Sequence, residues 1–178
     1  MLDDLVLIFF VFAVLGWLIE VAFRSIYLRH PVNPGFHKGP WLPLYGSAGS
    51  VNYLVSSNLS SYPLMLRMLF YLVLCTAFEF LAGVFLEKVF HKRYWDYSEH
   101  RFNIRGLVCP VYSIGWVVIS VIVELFILPE MQSLIVLIPD NMLLRTDLVL
   151  ISVFGVDFMF SSGIASRERF NRLRALFS

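Results

Sequence analysis

The sequence is poor in charge. Charged residues make up 15% of its 178 positions, where a soluble domain of this length carries about a quarter. That leaves too little polar surface to face water and points to lipid as the solvent. The formal net charge is +1, without the basic excess that a nucleic-acid binder needs, so no nucleic-acid partner is expected. Cysteine is equally scarce. Cys75 falls mid-helix and Cys109 near the start of the next span; their depths differ, so they read as small buried residues rather than a disulfide framework. A Walker-type phosphate loop, a nucleophile elbow and a Gly-rich dinucleotide motif are also missing. The chain is therefore not expected to power transport through ATP by itself. The first residues are acidic (Asp3, Asp4) where a cleavable signal begins with positive charge, and none is expected.

What is abundant is apolar surface: 58% of residues are hydrophobic and 16% aromatic. About 20 such residues in a row cross the hydrocarbon as a helix. Leu5–Phe23, Leu64–Leu86 and Leu107–Leu128 qualify, and Leu148–Ile164 is slightly short. Trp41–Val55 is weaker, with Pro43, Gly46, Ser47, Gly49 and Asn52 inside it. Topology requires it nonetheless. Lys and Arg cluster in three places: Arg24, Arg29 and Lys38; Lys88, Lys92, Arg93, Arg101 and Arg105; and Arg167, Arg169, Arg172 and Arg174. Short basic connections stay cytoplasmic. Five spans put all three segments on one side, with the N-terminus out and the C-terminus in; four spans break the alternation. Tyr94, Trp95 and Tyr97 suit an aromatic belt at the inner interface. Leu134–Ile138, between Pro129 and Pro139, is too short to cross and reads as an outer loop dipping into the interface. The tail "SRERFNRLRALFS" is a basic topogenic segment or a short amphipathic surface helix.

Shifted against itself by 67 residues, the sequence matches Gly16 to Gly83, Glu20 to Glu87, Phe23 to Phe90 and Tyr27 to Tyr94. Gly39 then meets Gly106, Pro43 meets Pro110 and Tyr45 meets Tyr112. Chance gives roughly two identities in such a window. The reading is an all-α membrane protein of five transmembrane helices in one domain. Two parallel helical-hairpin repeats occupy about 5–56 and 64–128, a fifth span about 147–165, and a basic tail 166–178. Repeats in the same orientation are related by an axis along the membrane normal.

A charge at the centre of a span costs about 2.5–3.5 kcal/mol on insertion scales, so such residues face the bundle interior, pair or lose their charge. At 1.5 Å per residue, Asp157 sits about 15 Å from the Arg167 boundary, and Glu79 about 10 Å from Leu86. Glu20 lies about 6 Å above Arg24, and Glu87 sits at the boundary. Trp17, Glu20 and Arg24 share one helix face, as do Glu79, Gly83 and Glu87. Glu20 to Arg24 and Glu87 to His91 are four apart, in the order that favours simple interfacial ion pairs. Glu79 and Asp157 have no local cation at that spacing. Glu124, near the outer boundary, reads as structural and within reach of water. His37, His91 and His100 with Glu87 and Asp96 match no metal-ligand spacing, and no metal or cofactor is assigned. The proline- and glycine-rich "RHPVNPGFHKGPWLPLYG" and the mixed "RYWDYSEHRFNIRG", with Asp96 and Asn103 as cap candidates, read as a lid over the glutamates or a docking surface.

The stretches "LGWLIEVAFRS", "VNPGFHKGPWLPLYG", "EFLAGVFLEKVFHKRYWDYSEHRFNIRG" and "GVDFMFS" resemble a bacterial family of small multi-spanning membrane proteins described as putative ABC-transporter type IV. The likeness covers nearly all of the chain and departs at Pro34, Pro110 and Tyr112. It implies a permease-like role in the bacterial inner or plasma membrane, with a separate ATPase subunit as an expected partner. The candidate substrate-binding set is Glu20, Glu79, Glu87 and Asp157 with Trp17, Arg24, Tyr45, Asn103 and Tyr112. Three functions stand open. One is a transport component whose acids bind a cation, proton or amine-bearing solute. Another is a membrane-embedded enzyme using carboxylates as acid and base on a lipid-linked substrate, with His37 and His91 assisting. The third is an accessory subunit that docks a partner protein. Five spans enclose little volume, so a homodimer or a partner is expected.

Overall fold

The structure, a computed structural model, describes the backbone of residues 2–176 and the side chains of residues 4–164 and 166. It is all-helical: α1 (Leu2–Leu28), α2 (Pro43–Leu59), α3 (Leu64–Phe85), α4 (Pro110–Ile122), α5 (Leu128–Ile135) and α6 (Asp140–Leu176). A π turn, Leu86–Phe90, ends α3, and another, Val123–Ile127, joins α4 to α5. Among the described residues the only extended pairing is one bridge, Ile104 to Val108.

Four helices are long and apolar enough to cross a membrane: Asp4–Leu28, Leu64–Phe90, Pro110–Ile135 and Asp140–Ile164. Their outer faces carry unburied Ile19, Phe23, Leu81, Phe126, Val156 and Met159, the surface that lipid covers. The fourth segment of the sequence is longer than its pattern suggests. Helix persists through Ile135, because Ile135 and Leu128 pack with Ile8 and Leu143 in one buried cluster. Leu134–Ile138 is thus the end of a helix and a turn, not a separate dipping loop. At the other end, α6 continues unbroken through the basic segment to Leu176; the amphipathic reading of that tail concerns side chains outside the described residues.

The 17-residue α2 is shorter than α1, α3 and α6, and seven of its residues are buried. It packs on α1, α3, α4 and the second π turn. Pro43 opens it and Pro110 opens α4, each following an extended residue, since proline suits the first helical turn, where its missing N–H costs nothing. Its small residues let α1 close in. A Cβ on Gly16 would stand 2.2 Å from Tyr45 Cγ, and one on Gly49 2.4 Å from Phe12 Cγ. A second buried cluster joins Val51 and Val55 of α2 to Tyr71, Cys75, Trp116 and Val117.

Two connections on the side bearing the ends of α1 and α3 complete the fold. Asn33 folds the first: its Nδ2 donates to His37 O at 2.8 Å and its Oδ1 accepts from Gly35 N at 3.2 Å. Asn103 folds the second, accepting from Gly106 N at 2.9 Å and donating to His100 O at 2.8 Å. Gly106 sits at φ +68, where an added Cβ would also lie 2.5 Å from Asp96 Oδ1.

The packing of α1 on α2 predicts unequal glycine tolerance. Gly16→Val should cost about 1–3 kcal/mol by overpacking, lowering Tm in detergent by roughly 5 °C. Gly115→Ala, with nothing within 4 Å of the new Cβ, should leave Tm unchanged or slightly raised. A thermal melt of both variants decides.

Candidate functional site: a cavity and a polar seam

A cavity of about 280 Å³ opens between α1, the first connection, the end of α3 and α6. Its walls are mainly apolar, with Phe36, Leu42, Phe85 and Phe158 among them. Its polar corner is Glu20 on α1. Arg24 Nε donates to Glu20 Oε2 at 2.9 Å, and Tyr45 of α2 donates its hydroxyl to Oε1 at 3.0 Å. Trp17, one turn earlier, donates its indole N–H to Asn33 Oδ1 at 3.1 Å and so steadies the first connection.

Across the cavity that connection is pinned to α6. His37 Nδ1 stands 2.7 Å from Asp157 Oδ2, Gly39 N donates to Asp157 Oδ1 at 3.1 Å, and Lys38 N donates to Ser161 Oγ at 3.1 Å. The imidazole stacks on Phe154 with centroids 4.5 Å apart. Burial pushes the His37 pKa below its usual value, against the opposing pull of Asp157. A neutral ring donating one N–H to the carboxyl fits both facts.

The second feature is a seam of polar side chains between α3 and the helix formed by α4 and its π turn. Arg67, Tyr71, Cys75 and Glu79 recur at every fourth position of α3, and Trp116, Ser120 and Glu124 do so on the facing helix. The helices are antiparallel, so the series pair off in reverse order. Arg67 forms an ion pair with Glu124, and Tyr71 donates its hydroxyl to Glu124 Oε2 at 2.8 Å. Cys75 Sγ lies 3.9 Å from Ser120 Oγ, which also accepts from Asn52 Nδ2 of α2 at 3.0 Å. A four-residue series drifts by roughly 40° per step on an α-helix. The wider π turn slows that rotation and keeps Glu124 on the seam.

Glu79 ends the series. It is 2% exposed, and Tyr97 of the second connection donates its hydroxyl to Oε1 at 3.0 Å. The Trp116 indole approaches the same carboxyl, yet Oε2 has no hydrogen bond of normal geometry. Among the described residues no cation pairs with Glu79. Burial first, and Glu79 second, raise the Tyr97 pKa, so this phenol stays protonated and remains a donor. Tyr112 stacks on Tyr97 at 4.1 Å, with exposed His100 edge-on to both rings.

The structure thus divides the residues singled out by sequence. Glu20, Arg24, Tyr45 and, through Asn33, Trp17 meet at one corner of the cavity. Asp157 does not line the cavity; it stands behind His37, a lining residue that is its partner from 120 positions away in the chain. Glu79 lies in the seam, with Tyr112 two rings away. Tyr45 links the two features: its hydroxyl bonds Glu20 and is within electrostatic reach of Glu79. Glu87 is apart. Arg93 Nε donates to its Oε1 at 2.6 Å, and Arg105 stands 3.4 Å from Oε2. The expected His91 partner is lost because the chain leaves the helix at His91, with φ 53. The hydrogen bond to Glu87 and the nearby Asp96 raise the Arg93 pKa, while bonds from Ser98 and then Arg93 lower that of Asp96. Asn103 shapes its own loop. Glu124 is enclosed rather than within reach of water. From the sequence Tyr97 had only a place in an aromatic belt, and Trp116 and the Arg67–Glu124 pair went unnoticed. The fourfold polar spacing on α3 was the available signal.

The proline-opened helices share their order with the sequence repeat, but matched residues keep different partners. Glu20 and Glu87 both take arginine, but Glu20 also takes Tyr45, whereas Tyr112, the match of Tyr45, stacks on Tyr97 instead.

Four membrane-length helices and a polar interior define a multi-pass membrane protein. The family described as Putative ABC-transporter type IV matches residues 7–162, and the chain belongs to that family. It is accordingly a transport-related membrane protein. No solved structure matches it.

The lowered His37 pKa gives a signed prediction. The docked connection favours the neutral ring, so its contribution is complete above the usual histidine value of about 6.5 and is lost as pH falls through the depressed native value. Hydrogen-exchange protection of the amides of residues 33–39, corrected for intrinsic rate, should hold above about pH 6.5 and fall as the pH drops below it. Asp157→Asn should weaken that protection even at neutral pH. Protection that is flat with pH would contradict the assignment.

Proposed function

We propose that this chain is the membrane-embedded permease component of a transport system, with an acidic site that opens to the cytoplasm. The observation that carries the reading is Glu20 at the polar corner of an otherwise apolar, aromatic-walled cavity. A carboxylate accepts up to about four hydrogen bonds, and Arg24 and Tyr45 account for two. The remaining lone pairs suit an ammonium donor, while Phe36, Phe154 and Phe158 suit an apolar body and cation–π contact. The solute class is therefore an amphipathic amine or cation. His37, held by Asp157 behind it, forms part of the wall, and the connection pinned by Asn33 acts as the gate.

In this reading α2 is a fifth crossing, the N-terminus faces out, and the three basic segments and the cavity mouth face the cytoplasm. The two hairpins are parallel repeats. With no phosphate-binding loop in the sequence, energy from ATP would come from a separate ATPase subunit, in keeping with the family's description. A homodimer would enlarge the small volume that one chain encloses. The exposed Arg93, Asp96 and Arg105 around Glu87 offer a charged surface for such a partner.

A second reading, a site for a lipid-linked substrate, is favoured by the same apolar walls. Mass spectrometry of the purified protein would separate the two: a lipid retained stoichiometrically, and lost in Glu20→Gln, favours it. For the first reading, vesicles bearing the complete transport system should accumulate a fluorescent aromatic amine. Glu20→Gln should reduce uptake about tenfold, the loss of one charge-assisted bond, with helicity and Tm retained. Unchanged uptake would remove the proposal.

A further inference from the structure

We propose that the seam between α3 and α4 is a proton path through the hydrocarbon, with Glu79 as the group that takes up and releases the proton. The inference is independent of the cavity, which Glu79 does not line.

The first ground is reach. From Arg67 to the π turn at Glu87, α3 rises about 30 Å, the thickness of the hydrocarbon core. Polar atoms recur along that rise within the protein rather than on its lipid face: the Arg67–Glu124–Tyr71 group, then Cys75, Ser120 and Asn52, then Glu79 and Tyr97.

The second ground is chemistry. A path needs one group that changes protonation and neighbours that donate and accept. Glu124 has partners on both oxygens, the Arg67 guanidinium and the Tyr71 hydroxyl. Glu79 is the opposite case. Facing it are Tyr97 from the second connection, Trp116 from α4, Tyr45 from α2 and Cys75 from its own helix. None is a cation, so nothing fixes its charge. Its Oε2 is buried with no hydrogen bond of normal geometry, the Trp116 indole only approaching the carboxyl, and Asn52 Oδ1 beside Ser120 is likewise buried without a partner. Buried polar atoms of this kind call for water or for a proton.

The step is simple. A proton adds to Oε2 of the Glu79 carboxylate, forming one O–H bond, and leaves by the other side, breaking it. No electrons or other groups move. Tyr97, flanked by exposed His100, connects Glu79 to one face. Ser120 and Asn52, with bridging water, connect it toward Glu124 and the other. An ionisable residue kept in a membrane interior at this cost is commonly a relay of this type.

Two measurements on the full chain in liposomes test it, and neither needs the solute. In pH-difference infrared spectra, a carboxyl carbonyl band that shifts in D2O should appear, vanish in Glu79→Gln and change frequency in Tyr97→Phe. Under an imposed potassium diffusion potential, lumenal pH should change at least several-fold faster than in empty liposomes. Glu79→Gln should abolish the excess, Glu79→Asp should keep part, Ser120→Ala should slow it, and exposed Glu130→Gln should leave it intact. Should Glu79→Gln misfold, Tyr97→Phe and Ser120→Ala decide. A band that survives Glu79→Gln, or flux no faster than in empty liposomes, overturns the path. Loss of amine uptake in Glu20→Gln with this band intact would show that the cavity and the seam are separate functions.

Discussion

Hydrocarbon offers no partner to a polar group, so every polar side chain inside this bundle must find one within the protein. The seam between α3 and α4 meets that constraint through antiparallel register. A residue at every fourth position of one helix meets a residue at every fourth position of the other. Arg67 and Tyr71 take Glu124, Cys75 meets Ser120, and Trp116 approaches Glu79. Most of the remaining packing accommodates this register. The π turn at Val123–Ile127 holds Glu124 in line, and the short α2 inserts Asn52 at the middle. Small residues on α1 and α2 let α1 close over α2.

The two long connections solve a different problem at the membrane surface. Each is an irregular segment, and each is folded around one asparagine whose amide both donates and accepts. Asn33 turns the first connection so that His37 and Gly39 reach Asp157 on α6. Asn103 turns the second so that Tyr97 reaches Glu79 on α3. Both connections therefore send a polar group back to a carboxyl inside a helix. Asp157 has a partner on each oxygen, His37 and Gly39 N, and His37 is itself stacked on Phe154; Glu79 has Tyr97 on one oxygen and only the approaching Trp116 indole near the carboxyl otherwise.

The cavity and the seam approach each other at Tyr45, whose hydroxyl serves Glu20 while its ring packs edge-on to Trp116 at 5.4 Å. A solute held at Glu20 and a proton held at Glu79 would thus share one aromatic pair, so a shift of Tyr45 would be felt by both. Coupling between two sites requires such a shared element whose position both can bias.

The sequence by itself determined the solvent, the helical class and most of the crossings, because hydropathy over about 20 residues is a local property. It also revealed that Glu79 lacks a nearby cation and that Glu20 and Arg24 pair, since spacing along one helix decides both. Pairings between helices were not legible. His37 and Asp157, or Arg67 and Glu124, are joined only when distant segments pack, and no local pattern encodes which face meets which. The same holds for Glu87, whose partner changed once a left-handed residue at His91 ended the helix. Local spacing fixed which residues share a face. Tertiary packing decided which faces meet, and so which partner from a distant helix or connection each buried carboxyl finds.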